Sequence, residues 1–459
     1  MAINITKIDV IWSYFSLFLL NGINILLLPF ILAYLEPAEI GLWYTFTAVS
    51  GLVIILDFGL MTTLSRNVTF IWEGAEEIAV TGFKVNNKQT KTPNYNLFVK
   101  LFKATKLIYL FLGLTIFLIL LTLGSYYVYS VSKNDLPVDT IMISWGFYSL
   151  AVFLNMRYAY WNPILKGSGA IKIHQQILVV TKVSQFVFSV IGILLGYGLI
   201  AVALAYLLSI IINRILAHIR FFAYQDNKLY IKPLIKNRIN IKEFLTIFKT
   251  ILPNAYRQGL ISISNYINLR SITLISSTFL GLGVTASLGL VLQITNLVMP
   301  VANTFFNTYL PQFSSFRFQG KYKSLQTVFT KAIMINYLII ITSFISILIF
   351  GDFILDLMNS NVELLSWPYL TIIMIYMFLY NNQSIFGTFI GTNNTLPHYK
   401  AFFVSSILVL GTQLILMITS TPTLWKLILP ILFIQLVYNN WKWPLVVLKE
   451  FIYLNKNNI

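Results

Sequence analysis

The chain has 459 residues, of which 57% are hydrophobic and only 10% are charged, and its mean hydropathy is +0.77. Soluble domains are about 45–50% apolar and about 25% charged, so this composition excludes an ordinary soluble protein and indicates a multi-pass membrane protein. The sequence contains no cysteine, which excludes disulfides and thiolate metal ligands.

A membrane-spanning helix needs about 20 predominantly apolar residues. The first such stretch has one preceding lysine and no short apolar block with a cleavage site, so we interpret it as an uncleaved span. The chain is predicted to be an all-α polytopic membrane protein with twelve transmembrane helices, near residues 11–32, 40–62, 107–131, 140–161, 175–197, 199–218, 250–273, 285–308, 328–350, 364–388, 401–420 and 427–447. Adjacent spans nearly fuse at residues 196–198 and 281–284.

Lysine and arginine are concentrated in every second loop. If the N-terminus is cytoplasmic, the outside loops contain only Lys133 and Lys426 as basic residues. The positive-inside rule therefore predicts that both termini are cytoplasmic. The net charge of +17 is then explained by topology and by contact with anionic membrane lipids, rather than by nucleic-acid binding.

A short motif recurs after the fourth and the tenth spans. In LKGSGAIKIHQQ and FIGTNNTLPHYK a glycine precedes a histidine by seven residues, Gly167 to His174 and Gly391 to His398. This echo indicates a parallel duplication of six-span halves, a common transporter plan with the substrate site between the halves. The predicted organisation is an N-terminal lobe at 1–218, a basic cytoplasmic linker at 219–249 and a C-terminal lobe at 250–459.

Asp57 follows the aliphatic run LVIIL in the second span, and Arg66 lies nine positions further on. The carboxylate is about five residues from the predicted cytoplasmic end, roughly 8 Å deep at 1.5 Å per residue. One interpretation is a shallow carboxylate satisfied by water, by a neighbouring helix end or by Arg66. The other is a cation or proton relay or a gate contact, because intramembrane ionisable groups usually face a cavity.

Two cations lie at similar predicted depth in opposite halves. Lys182 shares a narrow face of the fifth span with Gln175, Gln185 and Ser189, and Arg257 lies on a polar face of the seventh span. Each is about seven residues from the cytoplasmic end, roughly 10 Å deep. We expect this pair to grip one anion between the two lobes.

Two further cations have structural explanations beside the functional one. Arg157 is close to its span boundary, which favours an interface anchor. Arg270 points to the opposite side of the seventh span from Arg257, which favours snorkelling or a structural pair. Both are kept as candidate contacts to the same anion.

Amide side chains form two polar stripes. Such ladders either join helices or satisfy sugar hydroxyls through paired donors and acceptors. The candidate glycan contacts are Asn254, Gln258, Asn265 and Asn268 in the seventh span, Gln293, Asn296 and Asn303 in the eighth, and Asn24 in the first.

Catalytic and cofactor motifs are scarce. His174, His218 and His398 all lie at span ends, so no metal cluster is indicated, and no G-x-x-x-x-G-K-[ST] phosphate loop is present. A membrane polysaccharide polymerase would be expected to have a large external loop with basic residues, whereas the outside loops here are short and acidic or neutral. The sequence therefore predicts a protein that is not an enzyme and that needs no cofactor.

The run LLLPFILAYLEPAEIGLWYTFTAVSGLVIILDFGLMTTLSRN resembles the N-terminal signature of the polysaccharide repeat-unit (O-antigen, Wzx-type) flippases of the multidrug/oligosaccharidyl-lipid/polysaccharide exporter superfamily. The loops LKGSGAIKIHQQ and YLPQFSSFRFQGKYKSLQTVFTKA also resemble that family, and the resemblance covers nearly the whole chain in span order. Lys182 matches no position of the family pattern. The shared elements are Pro29, the Leu35-to-Trp43 turn with Glu39 and Gly41, Asp57-Phe58-Gly59, and Arg66.

The resemblance implies two six-helix lobes around a central cavity in a bacterial cytoplasmic membrane. It implies alternating access that carries an undecaprenyl-pyrophosphate-linked oligosaccharide from the cytoplasmic to the outer leaflet, with a polysaccharide polymerase and other glycan-assembly proteins as partners. On this interpretation the four cations neutralise the pyrophosphate and the amide stripes hold the glycan. Asp57 and Arg66 form or break a gate contact.

Two other functions stay open. A cation-coupled exporter of small amphipathic compounds uses the same fold, but we expect it to place a carboxylate deeper in a span. A non-transporting scaffold of a glycan-assembly complex predicts that cavity charges are dispensable.

Overall fold

The structure is a computed structural model, and the described part of the chain is helical without strands. It describes residues 4–35, 38–40, 42–43, 46, 57, 59–80, 92–133, 136–235, 240–280, 282–357 and 364–457, apart from some side chains within these ranges. Short π and 3-10 segments lie at Leu120–Gly124 and Tyr224–Asp226.

The helices are numbered here in chain order. In the first half they are α1 (Lys7–Tyr34), α2 (Leu60–Trp72), α3 (Tyr95–Ile119), α4 (Ser125–Ser132), α5 (Val138–Tyr158), α6 (Trp161–Gly167), α7 (Ile171–Leu194), α8 (Gly198–Ala223) and α9 (Asn227–Ile235). In the second half they are α10 (Ile241–Phe279), α11 (Leu282–Phe318), α12 (Tyr322–Leu357), α13 (Trp367–Gly391), α14 (Tyr399–Thr419), α15 (Leu424–Val437) and α16 (Asn439–Asn457).

The predicted polytopic all-α architecture is confirmed for the described residues. Seven helices in that part of the chain are long and apolar enough to cross a membrane. Helices coincide with every predicted span except the second, most of which lies outside the described residues. The predicted break at 196–198 separates α7 from α8, where Gly196 and Gly198 have φ angles of 83° and 46° that favour glycine.

The chain divides into two compact units, Met1–Pro253 and Asn254–Ile459. In the first unit α7 packs on both α1 and α8, and α5 packs on α8 and α3. In the second unit α11 packs on α12, α13 on α16, and α14 on α15. The boundary falls inside α10, beside Pro253, which has no backbone N–H to donate within the helix.

The first part of the predicted linker 219–249 is folded against the first unit. The ring of Tyr230 stacks on Tyr95 with 5.1 Å between centroids, and the Lys103 ammonium donates to the carbonyl of Leu234 over 3.2 Å. The buried amide of Asn227 donates to the carbonyl of Phe221 over 3.0 Å. Through these contacts α9 is part of the first unit. The basic residues of this segment had predicted only a linker.

Two carboxylates satisfy helix N-termini in the first unit. Asp9 accepts from the backbone N–H and hydroxyl of Thr6 at 2.8 and 2.6 Å, and from the N–H of Lys172 in the first turn of α7 at 2.9 Å. Glu39 accepts from the N–H of Leu199 in the first turn of α8 at 2.9 Å. Because the first N–H groups of a helix have no partner inside it, these carboxylates fix where α7 and α8 begin.

The predicted twelfth span is divided into two helices. α15 ends before Tyr438, whose φ and ψ of −140° and −55° are not helical, and α16 follows. The buried amide of Asn439 donates to Ser405 at 2.9 Å and to Gln435 at 2.8 Å, and its oxygen accepts from the indole of Trp443 at 3.0 Å. This network gives the polar groups at the break partners within the unit.

Candidate functional site

Asp57 lies three residues before α2 begins and two residues before the left-handed Gly59. Its carboxylate accepts from the hydroxyl of Tyr109 at 2.8 Å and from the backbone N–H of Met61 at 3.3 Å. Gly59 has φ 66° and ψ 19°, which a residue without Cβ adopts readily, so the motif Asp-Phe-Gly turns the chain into α2. The half-buried carboxylate is therefore held by a neighbouring helix and by the end of its own.

Arg66 lies on α2, and its guanidinium contacts the hydroxyl of Thr63 at 3.5 Å. The Asp57 contacts at Tyr109 and Met61 are made without Arg66. The predicted contact between Asp57 and Arg66 stays a prediction.

Lys182 is partly buried on α7, and its partner is neutral. Its ammonium donates to the side-chain oxygen of Gln185 at 3.1 Å, so the structure brings together two residues of the predicted polar face. A third member, Gln175, contacts α1 instead, where its oxygen accepts from the hydroxyl of Ser16 at 2.5 Å. The predicted polar face of α7 therefore has two roles: Gln175 contacts α1, and Gln185 accepts a hydrogen bond from Lys182.

Arg257 is partly buried on α10 and also has neutral partners. A guanidinium nitrogen lies 3.5 Å from the side-chain oxygen of Asn254, and the guanidinium carbon lies 5.6 Å from the centre of the Tyr399 ring. Asn254 is itself buried, and its amide donates to the side chain of Asn394 at 2.9 Å. Asn254 thus joins α10 to the loop after α13 and supports Arg257.

Three asparagines form a closed ring of hydrogen bonds in the second unit. The amide of Asn303 donates to Asn381 at 2.8 Å, Asn381 donates to Asn336 at 2.8 Å, and Asn336 donates to Asn303 at 2.9 Å. The ring connects α11, α13 and α12, and Asn336 and Asn381 are buried. Of the two interpretations of the amide stripe, Asn303 thus fits the one in which amides join neighbouring helices.

The remaining predicted glycan residues differ in exposure. Asn296 is exposed, Gln258 and Asn265 are half-buried, and Asn268 is buried, where its carbonyl accepts from the hydroxyl of Tyr376 at 3.3 Å. The side chains of Asn24, Arg270 and Gln293 lie outside the described residues.

The glycine and histidine motifs occupy corresponding positions in the two units. Gly167 ends α6 and Gly391 ends α13, while His174 and His398 are buried at the starts of the next helices. The carbonyl of Gly167 accepts from the hydroxyl of Thr69 at 3.0 Å. A Cβ at Gly167 would lie 2.5 Å from the carbonyl oxygen of Ser65, so this glycine permits α6 to approach α2.

Arg157 is tied to the middle of α3, and its neighbour Arg214 is not among the residues that the sequence singled out. A nitrogen of Arg157 donates to the carbonyl of Lys106 at 2.9 Å, and its guanidinium carbon lies 5.4 Å from the Tyr158 ring centre. On α8, Arg214 lies over the same ring, 3.7 Å from the centre. The spacing of Arg214 and His218, four residues apart on one helix face, was the available sequence signal.

A second missed element is the ion pair between Arg317 and Glu450. Arg317 is 3% exposed, contacts both carboxylate oxygens of Glu450, and donates through Nε to the hydroxyl of Thr392 at 2.8 Å. It also lies over the ring of Phe389 at 4.6 Å. Arg317 stands in the segment that resembles the family's loop after the eighth span, and here that segment connects α11 to α16.

The chemistry available in these sites is ionic and amide binding. Among the described residues, no group of three or more His, Asp or Glu is arranged to hold a metal ion. Lys182 and Arg257 are positioned by the neutral side chains of Gln185, Asn254 and Tyr399.

Comparison with known proteins shows similarity of structure only. No protein-family model and no curated protein matches the sequence. A structure of MATE in the bent conformation superposes with a TM-score of 0.71, at 16% identity over 99% of both chains. An outward-facing multidrug resistance MATE family transporter of the MOP superfamily gives a TM-score of 0.69, at 16% identity over 98% of this chain and 96% of that one.

A third similar structure is a MOP superfamily transporter from Pyrococcus furiosus Vc1 (DSM3638), described by a reverse polarity of its binding pocket that suggests a different function. Its TM-score is 0.68, at 15% identity over 97% of this chain and 96% of that one. At these identities the similarity shows the fold: the chain has the polytopic helical fold of the MATE transporters. These structural relatives are transporters rather than enzymes.

Proposed function

We propose that this protein moves an undecaprenyl-pyrophosphate-linked oligosaccharide from the cytoplasmic to the outer leaflet of a bacterial cytoplasmic membrane by alternating access. One observation carries the proposal: Lys182 and Arg257, one in each unit, are partly buried on apolar helices and have neutral partners. Neither cation forms an ion pair with a described carboxylate. Holding a cation among apolar helices without a counter-ion is costly, which favours an anion-binding site at these residues.

The pyrophosphate of a lipid-linked oligosaccharide supplies the matching charge. A hydrogen bond to a charged group contributes about 1.5–3 kcal/mol. The hydroxyl groups on the sugar rings are uncharged, and side-chain amides can both donate hydrogen bonds to them and accept hydrogen bonds from them. The amides proposed for this role are those of Gln258, Asn265, Asn268 and Asn296. The lipid tail stays in the bilayer, because only the polar head needs a route through hydrocarbon.

The first experiment uses cells that lack their own repeat-unit flippase and make the cognate repeat unit. Lys182→Gln and Arg257→Gln each remove one charge-assisted bond, so we expect each to lower transport of lipid-linked oligosaccharide roughly ten- to hundredfold. The matched control is Lys172→Gln with Lys323→Gln, which removes two exposed charges and leaves transport unchanged. All proteins are checked for equal amounts in the membrane. Transport that survives both charge removals contradicts the assignment of these cations.

A cation-coupled exporter of small amphipathic compounds is the second candidate, and the similarity to a multidrug resistance MATE family transporter favours it. Thermal unfolding of the purified protein separates the two. Farnesyl pyrophosphate, but not farnesol or the cationic dye ethidium, is expected to raise the unfolding temperature. Stabilisation by ethidium alone favours the exporter, and no effect of any probe together with normal glycan assembly favours the scaffold.

Asp57 is proposed to act as a gate contact at the start of α2. Asp57→Asn keeps the shape but weakens acceptance from Tyr109, so we expect slower transport with unchanged binding of farnesyl pyrophosphate. Tyr109→Phe removes the same hydrogen bond from the other side and is expected to give the same result. Unchanged transport by Asp57→Asn at every pH and membrane potential contradicts a gating role.

A further inference from the structure

A groove opens on the first unit between α5 and α8. Its volume is about 420 Å³, within the range of about 300–1,000 Å³ typical of small-molecule sites. One side is apolar and is formed by Leu154 of α5 and by Ile211, Ile215 and Ile219 of α8. The three isoleucines are exposed. The groove therefore presents an apolar strip along the outside of a membrane helix.

The other lining residues of the groove are polar or charged. Tyr158, Arg214 and His218 line it, and the guanidinium of Arg214 lies 3.7 Å from the centre of the Tyr158 ring. This cation–π contact holds the guanidinium without consuming the N–H donors in its plane, through which a guanidinium binds phosphate. Arg214 is thus positioned for a phosphate group beside the apolar strip, between Ile211 and Ile215 along α8.

A second arginine approaches the same ring. Arg157 lies 5.4 Å from the centre of Tyr158 and is fixed by its bond to the carbonyl of Lys106. The ion pairs formed among the described residues are Lys100 with Glu243 and Arg317 with Glu450, so no described carboxylate neutralises Arg157 or Arg214 by an ion pair. The groove combines uncompensated positive charge with apolar surface.

The sequence places this end of α8 at the cytoplasmic side of the membrane. Arg214 lies near the end of the predicted sixth span, and basic groups between helices at that level contact the headgroups of anionic lipids. Acyl chains pack against apolar helix faces just inside the headgroups. Leu154 precedes Tyr158 and Ile211 precedes Arg214, so these two apolar residues lie deeper in the predicted spans and the cations lie at headgroup level, an order that matches one lipid molecule.

We propose that this groove binds an anionic glycerophospholipid of the inner leaflet. Arg214, which lines the groove, and Arg157, which approaches the same tyrosine ring, hold the phosphodiester, and an acyl chain lies along Ile211 and Leu154. Lys182 and Arg257 are not among the residues that line the groove, and the inference does not depend on the proposed transport function.

The test uses the full-length protein purified in an uncharged detergent. Phosphatidylglycerol is added, or phosphatidylcholine with the same acyl chains, and bound lipid is measured by native mass spectrometry beside the unfolding temperature. We expect phosphatidylglycerol to bind and stabilise, and Arg214→Gln to weaken this binding at least tenfold. Arg214→Lys retains part of the binding. The exposed Arg220→Gln, on the same helix, is the matched control and binds as the unchanged protein does.

Three results overturn the proposal. Equal binding of phosphatidylcholine shows an apolar groove without recognition of net negative charge. Binding of farnesyl pyrophosphate, but not phosphatidylglycerol, through Arg214 assigns the groove to a lipid pyrophosphate. Unchanged phosphatidylglycerol binding in Arg157→Gln and in Arg214→Gln places the lipid elsewhere. If Arg214→Gln does not fold, Arg157→Gln decides the test.

Discussion

Individual charged residues in this protein are stabilised in two different ways. Arg317 is matched by Glu450, by Thr392 and by the ring of Phe389. Lys182 and Arg257 are matched by amides and a ring. The first arrangement contains an opposite charge, whereas the partners of the second, among the described residues, are neutral. The amino-acid sequence alone does not distinguish these two arrangements, because it shows each of the three residues only as a cation.

The pair of Arg317 and Glu450 is predicted to be a major stabilising contact of the second unit. Breaking a fully buried pair costs about 3–5 kcal/mol. Because Glu450 is 28% exposed, we expect Arg317→Gln to cost less, about 2–4 kcal/mol. The unfolding temperature of the purified protein measures the loss. A variant as stable as the unchanged protein contradicts this role.

The matched control is the exposed pair of Lys100 and Glu243. Its atoms are 2.8 Å apart, but the side chains are 50% and 42% exposed, so Lys100→Gln is expected to change stability little. The hydrogen bond from Lys100 holds the pKa of Glu243 below its usual value. The contribution of this pair is therefore present at neutral pH and is lost as the pH falls through that lowered pKa.

At the scale of the element, side chains determine where helices begin and how closely they approach. Asp9 and Glu39 accept from the first turns of α7 and α8. The sequence shows these carboxylates but not the helix ends that they reach, which lie more than 150 positions away in both cases. These contacts give Asp9 and Glu39 a structural role. Glu39 also belongs to the motif that resembles the flippases, and the resemblance alone does not show whether its role is structural or functional.

The asparagine ring is predicted to stabilise the packing of α11, α12 and α13 as a unit. Asn336→Ala leaves Asn303 and Asn381 each without one hydrogen bond, at a cost of about 1–2 kcal/mol. Because the three bonds are coupled, the double variant Asn336→Ala/Asn381→Ala is expected to cost little more than the single one. Unfolding temperatures measure both variants.

The exposed Asn307 on α11 supplies the comparison for Asn303. Asn303→Ala should lower the unfolding temperature, and Asn307→Ala should not. If the two variants are equally stable and Asn303→Ala instead weakens transport, a role of Asn303 in glycan binding is preferred over its role in stabilising the asparagine ring.

Gly167 is predicted to tolerate no side chain. In Gly167→Ala the new Cβ would meet the carbonyl oxygen of Ser65 at 2.5 Å and the Cβ of Val68 at 2.6 Å, so α6 must move from α2 at a cost of about 1–3 kcal/mol. Gly146 on α5 has nothing within 4 Å of its Cβ position. Gly146→Ala should therefore keep stability or gain up to about 1 kcal/mol from helix propensity. Equal unfolding temperatures for both variants contradict close packing at Gly167.

At the scale of the whole molecule, the distribution of basic residues predicts the orientation in the membrane. The chain has no cysteine, so single cysteines report orientation without background. In intact cells a membrane-impermeant maleimide is expected to label cysteines at Lys133 and Thr421, but not at Lys228 or Lys323, all of which are exposed. Permeabilisation should expose the last two. The reverse pattern contradicts cytoplasmic termini.

The sequence by itself determined the membrane class, the helical architecture, the positions of most spans and the turn between α7 and α8. These properties follow from local apolar length and from glycine, which act over one helix at a time. The same local pattern identified the cations Lys182 and Arg257, because a charge in an apolar span is visible without a structure.

Only the tertiary structure decided what those side chains contact. The closed ring through Asn303, the pairing of Arg317 with Glu450 and the convergence of Arg157 and Arg214 on Tyr158 join residues far apart in the chain. A helical projection gives the face of one helix but not the helix that packs against it. For this reason the sequence found the polar stripes, whereas the structure showed which of their members join helices, as Asn303 does.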